Sequence, residues 1–98
     1  MLDPKIAARV TVFKALAHET RVRIVEMLAE EGEKCVCEIV ERLDFDQSTI
    51  SRHLSVLRSA GIVASRKEGL NVWYRLETPC VYQFMRCIDG VSTCSLKE

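Results

Sequence analysis

The sequence has no apolar run approaching the roughly 18 residues of a membrane span. Its N-terminus, Met1-Leu2-Asp3-Pro4, has none of the anatomy of a secretory signal. Both absences point to a cytoplasmic protein with no membrane partner. No repeat, low-complexity tract or linker interrupts the 98 residues, which make one domain's worth of chain. A domain this small buries little more than ~60% of its unfolded surface, so self-association would add stability. Net charge is missing too, since 14 Lys and Arg offset 14 Asp and Glu. Five cysteines is an odd number and excludes a fully paired set of intrachain disulfides. In a chain with no export signal, thiols are expected to serve metal or redox chemistry rather than act as staples.

What is present is an ordinary globular balance, 48% hydrophobic and 29% charged, which excludes wholesale disorder. The zero net charge conceals an uneven distribution. Residues 1–46 sum to −3, residues 47–75 to +4 and residues 76–98 to −1. A basic block between acidic ones is a local electrostatic footprint, and a phosphate backbone responds to the local field.

Pro4 suits a first helical turn, and Ile6, Val10, Phe13 and Leu16-Ala17 recur at helical spacing. After His18-Glu19-Thr20, a second helix carries Val22, Ile24-Val25 and Leu28 and stops at Gly32. Cys35 to Leu43 reads as a short third helix burying Val36, Ile39, Val40 and Leu43. Asp44-Phe45-Asp46 breaks it, with Asp46 placed as N-cap of a fourth helix from Gln47 to Ala60. That helix turns Ile50, Leu54 and Leu57 inward and ends at Gly61. Residues 62–67 and 70–76 read as strands joined at Glu68-Gly69. Thr78-Pro79 opens a last helix that runs to about Ile88, with Gly90 ending it and a short tail following. The expected fold is mainly α with a small β-hairpin, a winged helix-turn-helix spanning residues 1–98 as one domain.

The fourth helix carries the strongest functional signal. Its outward positions are Gln47, Ser48, Thr49, Ser51, Arg52, Ser55, Arg58 and Ser59, with no carboxylate in fourteen residues. Hydroxyls and amides reach base edges and phosphates, and Arg reads guanine or pairs with phosphate. The helix N-terminus would add free N–H groups toward the DNA backbone. Solvated helix faces usually mix signs, and this one does not. Arg66-Lys67-Glu68-Gly69 at the hairpin tip would form a basic wing for flanking phosphates.

Phe13-Lys14-Ala15-Leu16-Ala17-His18-Glu19-Thr20-Arg21, Cys35-Val36-Cys37-Glu38, Gln47-Ser48-Thr49-Ile50-Ser51-Arg52-His53-Leu54, Leu57-Arg58 and Gly61-Ile62-Val63 follow one another in order. Together they resemble the ArsR/SmtB family of metal- and metalloid-responsive repressors, the Cys-Val-Cys-acid segment resembling its arsenic-sensing branch. The resemblance covers roughly residues 9–76. It implies a homodimer, with the first and last helices at its interface, that binds operator DNA and releases it when inducer binds. It places DNA contacts on Gln47, Ser48, Thr49, Ser51, Arg52 and His53, and inducer thiolates on Cys35 and Cys37. His53, beside the apolar stripe, also fits a packed role. Arsenite or antimonite would be the inducer, and no catalytic cofactor or enzymatic activity is implied. One departure is Val40, where the arsenic branch often has a third cysteine. The carboxylate–histidine pattern that zinc-sensing relatives carry on the last helix is also missing, since no His follows His53.

Thiolate is a soft ligand that selects thiophilic ions. Residues two apart on an ideal helix point about 200° apart, so Cys35 and Cys37 would chelate only if the start of the third helix unwound. Fraying there would disturb the support of the fourth helix. The bland alternative is two small buried hydrophobes. Cys80 and Cys87 fall on one face of the last helix, about 10 Å apart at helical rise, too far to share one ion within a chain. They are expected at an apolar dimer interface with Val81, Phe84 and Ile88, while Cys94, in the tail, is the protein's candidate for a third sulfur. Other readings keep the DNA-binding fold but make the cysteines a cadmium, lead, redox or persulfide sensor. A thiol oxidoreductase lacks the βαβ setting such enzymes use. A winged helix serving only protein contacts is disfavoured by the acid-free fourth helix.

Overall fold

The computed structural model describes residues 3–97, and their side chains over residues 3–90. Helix α1 (Pro4–Leu16) is followed by α2 (Glu19–Glu31), strand β1 (Lys34–Cys35), α3 (Val36–Leu43) and α4 (Gln47–Ser59). Strands β2 (Val63–Glu68) and β3 (Asn71–Leu76) then lead into α5 (Cys80–Lys97).

Local chemistry starts and stops these elements. Asp3 Oδ1 accepts the Lys5 N–H at 2.8 Å ahead of the first-turn proline of α1. His18 caps α2 through Nδ1, which accepts the Thr20 N–H at 3.1 Å. Gly32 ends α2 at φ 85°, a conformation that penalises any Cβ. Asp44 closes α3 in the left-handed region, and Asp46 Oδ1 then accepts the Thr49 N–H at 2.8 Å to start α4. A three-residue break between α3 and α4 sets the helix-turn-helix.

Ile24, Val25, Ile39, Ile50, Leu54, Leu57, Ile62 and Val63 form the centre of the core. Val36, Val40 and Leu43 pack against it only half-buried, so Ile39 alone anchors α3 fully. The α2–α3 corner is pinned outside by Arg42, whose guanidinium donates twice to Glu31, at 2.6 and 2.7 Å. Those hydrogen bonds hold the Glu31 carboxyl down at about 2. On the other side of α2, the Tyr82 hydroxyl donates to Glu30 at 2.6 Å and fastens α5.

Four features differ from the expectations of the sequence. The sheet has three antiparallel strands in the order β1-β3-β2, because Lys34 and Cys35 pair with Tyr74 and Trp73 beside the expected hairpin. The hairpin turn lies at Gly69-Leu70, one residue later, since Glu68 pairs with Asn71 and Gly69 takes φ 62°. Helix α5 starts at Cys80, so Pro79 precedes it instead of opening its first turn, and the Thr78 hydroxyl donates to the Gly61 carbonyl at 2.8 Å, tying the entry of α5 to the end of α4. Finally, α5 continues through Gly90 instead of ending there. A helical glycine costs only about 1 kcal/mol relative to alanine, which a long helix tolerates.

Candidate functional site

The buried stripe of α4 leaves Gln47, Ser48, Ser51, Arg52, Ser55, Arg58 and Ser59 exposed and Thr49 half-exposed. These residues form one polar, acid-free face, as the alternation of buried and outward positions requires. Its N-terminus is less open than the sequence suggests. The Thr49 N–H is already taken by Asp46, whose carboxyl is held below the usual range by its hydrogen bonds with Thr49. A phosphate approaching the start of α4 therefore meets an ionised carboxylate. At the other end Arg58 donates to the Ser65 hydroxyl at 3.2 Å, fixing α4 against the wing.

The wing is β2 and β3, registered from Val63 opposite Leu76 to Glu68 opposite Asn71. Lys67 is exposed. Arg66 is engaged: its Nε and Nη2 donate to Glu33 at 3.0 and 2.7 Å, and Nη1 donates to Glu68 at 2.6 Å. Its guanidinium also lies over the Trp73 ring, 5.7 Å from the centroid.

His53 is turned from the solvent-facing row of α4 toward α2. Its ring stands 4.4 Å from that of His18, and Arg21 Nη1 lies 3.5 Å from its Nδ1. Burial first, then the charges of His18, Arg21 and Arg52, push its pKa down. The neutral imidazole thus bridges the start of α2 to α4.

Cys35 and Cys37 come together at the junction of β1 and α3. Cys35 is the N-cap of α3 in extended conformation (φ −82°, ψ 161°), and its N–H donates to Glu38 Oε1 at 3.0 Å. Because one residue is still extended and the other is already helical, their Cα atoms are 5.4 Å apart and their sulfurs are joined as a disulfide. The expected divergence across an ideal helix is therefore corrected: the junction aligns the two sulfurs with α3 intact. Cys35 is 4% exposed, and Cys37 faces solvent. Val40, half-buried one turn on, supplies no third ligand. Among the described residues no group of three or more His, Cys, Asp or Glu side chains is placed to hold a metal ion.

Cys80 and Cys87 are free and exposed on α5. Val81, expected beside them at an interface, is instead buried in the core. The Cys94 side chain lies outside the described residues, and its backbone belongs to α5 rather than to a tail. Sequence reasoning missed Glu33 and Trp73, which connect the thiol pair to the wing. Their signal was the position of Glu33 two residues before Cys35, legible only once a two-residue strand was recognised.

Helix-turn-helix, acid-free recognition helix and basic hairpin define a winged helix-turn-helix DNA-binding domain. Comparison with known proteins gives the same class. The model of the arsR family of bacterial regulatory proteins matches residues 18–65. The arsenical resistance operon repressor of Escherichia coli is 44% identical over 89 residues, covering 91% of this chain and 76% of that protein. The arsenic resistance transcriptional regulator ArsR1 of Pseudomonas putida is 52% identical over 65 residues, 66% of this chain but only 51% of that protein. Among solved structures, the homodimeric winged helix-turn-helix DNA-binding domain from Mycobacterium bovis superposes with a TM-score of 0.82 at 31% identity, covering 99% of this chain and 92% of that one. The chain belongs to the ArsR family of transcriptional regulators. Among the described residues no helix is long and apolar enough to cross a membrane.

Proposed function

We propose that this regulator is a repressor that binds operator DNA as a homodimer and leaves it when arsenite, or antimonite, bridges Cys35 and Cys37. The observation that carries the reading is the alignment of two sulfurs at the start of α3, the helix packed directly on α4. Two thiolates at such spacing suit a thiophilic metalloid, and Cys37 is open to it. Cys94 or a small-molecule thiol completes the coordination.

Contacts to DNA fall to Gln47, Ser48, Thr49, Ser51 and Arg52 on α4, with His53 holding that helix in place and Arg66 and Lys67 reaching flanking phosphates from the wing. The dimer is supported by an apolar strip that stands exposed among the described residues. Ile6, Val10 and Phe13 on α1 are exposed, and so are Phe84 and Ile88 on α5. Phe13 and Phe84 lie together, with ring centroids 6.0 Å apart. The name of the Escherichia coli relative, an arsenical resistance operon repressor, supports the choice of inducer.

A second reading, closure of the same thiols to a disulfide as a redox signal, is favoured by the joined sulfurs themselves. Fluorescence anisotropy of a duplex selected on the reduced protein separates the two. Arsenite and antimonite are expected to release it at lower concentrations than cadmium, zinc or a persulfide donor. Release by the persulfide donor alone would replace the metalloid reading with the redox one.

A further inference from the structure

The thiol pair and the wing share one rung of the sheet. Cys35 on β1 lies opposite Trp73 on β3, and Trp73 lies opposite Arg66 on β2. Directly opposed residues in antiparallel strands point to the same face, so these three side chains form a row. Glu33, two residues before Cys35, falls on that side too, and its carboxylate grips the Arg66 guanidinium through two hydrogen bonds. Glu68 holds a third N–H and Trp73 lies beneath. A wing arginine held in this way cannot give its full charge to a phosphate until Glu33 lets go.

We infer that Glu33 is a positioning residue that competes with DNA phosphate for Arg66, and that bridging Cys35 to Cys37 strengthens its hold. The inference rests on the thiol pair being the inducer site. Strand β1 is only two residues long, so its pairing with β3 depends on what anchors its ends. Joining the two sulfurs fastens its C-terminal end to the first turn of α3 and keeps the Glu33 carboxylate within reach of Arg66. When the thiols are open the short strand is loosely held, and phosphate takes Arg66. Bridging by arsenous acid balances without redox change: two As–O bonds give way to two As–S bonds, and the thiol protons leave with the hydroxides as two waters. An azodicarboxamide oxidant achieves the same closure by accepting two electrons and two protons from the dithiol and becoming the hydrazine.

The test is the salt dependence of binding to a duplex selected on the reduced protein, for wild type, Glu33→Gln and Glu68→Gln, each open, arsenite-loaded and oxidised. Trp73, the chain's one tryptophan, reports closure through its emission. In wild type, closure is expected to lower the slope of log affinity against log salt by about 0.9 for each phosphate that the wing ceases to neutralise. Glu33→Gln should keep its full slope after closure, although Trp73 still responds. Glu68→Gln, whose carboxylate rides on the hairpin itself, should lose slope on closure as wild type does. If Glu33→Gln loses slope like wild type under both treatments, the inference is overturned. If arsenite leaves Trp73 and the slope unchanged while oxidation separates wild type from Glu33→Gln, the metalloid reading falls and the competition for Arg66 stands.

Discussion

At the recognition helix, the His53 ring is pressed against His18, with the guanidinium of Arg21 on one side and Arg52 next to it in sequence. All of these neighbours, and burial above all, disfavour a second proton on the ring. The folded pKa therefore lies below the unfolded value near 6.5, so the unfolded chain takes up the proton first. The stability this group contributes is complete above about pH 6.5 and is lost as pH falls through the folded pKa. Melting temperature is expected to rise between about pH 5 and pH 7.5 in wild type and to rise less in His53→Gln. An equal rise in both would show that the ring's surroundings do not penalise its charge. The role of such a residue could not be settled from sequence. Its place beside an apolar stripe was visible, but His18 stands 35 positions earlier and only the fold brings the two rings together.

Among the elements, α4 was the most legible and the two-residue β1 the least. The helix announces itself through a capping Asp46, a buried Ile50-Leu54-Leu57 stripe and a glycine that takes φ 81° at Gly61. Such signals are local, and local chemistry decides them. Strand β1 has no pattern of its own; it exists because β3 offers an unpaired edge to Lys34 and Cys35. The cysteine pair was therefore recognised by composition but given the wrong geometry, since a helix was assumed where an extended residue meets a helical one. Asp46 shows how a cap can also shape function. Asp46→Ala should lower stability by leaving the Thr49 N–H without its capping partner. Asp46→Asn keeps a capping oxygen and removes the charge at the start of α4, the end proposed to face DNA, so it should stay near wild-type stability and bind duplex more tightly at low salt. The two variants are compared by chemical denaturation and by anisotropy. Weaker binding by Asp46→Asn would mean that the carboxylate orients α4 rather than repels phosphate.

On the scale of the whole molecule, the chain leaves the apolar edges of α1 and α5 exposed, Phe13 at 54% and Phe84 at 45%. The helical spacing of Ile6, Val10 and Phe13 was evident in the sequence, but spacing alone does not say whether a stripe faces the core or a partner. The structure turns it outward because the core is already filled by α2, α3, α4 and the sheet. Phe84→Glu should place a charge in the proposed interface and convert the protein to a monomer by sedimentation velocity. Loss of the dimer should also weaken operator binding, because paired half-sites about one helical turn apart need both copies. A Phe84→Glu protein that stays dimeric would move the interface elsewhere.

The proposed mechanism joins these scales at one place, the sulfur pair at the start of α3, the helix packed against α4. The most direct test is arsenite titration of wild type and Cys37→Ser on a duplex selected on the reduced wild-type protein, followed by fluorescence anisotropy. Serine keeps the size of the side chain and removes the thiolate. Both proteins should bind the duplex alike without arsenite, and only wild type should release it as arsenite is added. Release of Cys37→Ser at the same arsenite concentrations as wild type would contradict the assignment of the inducer site.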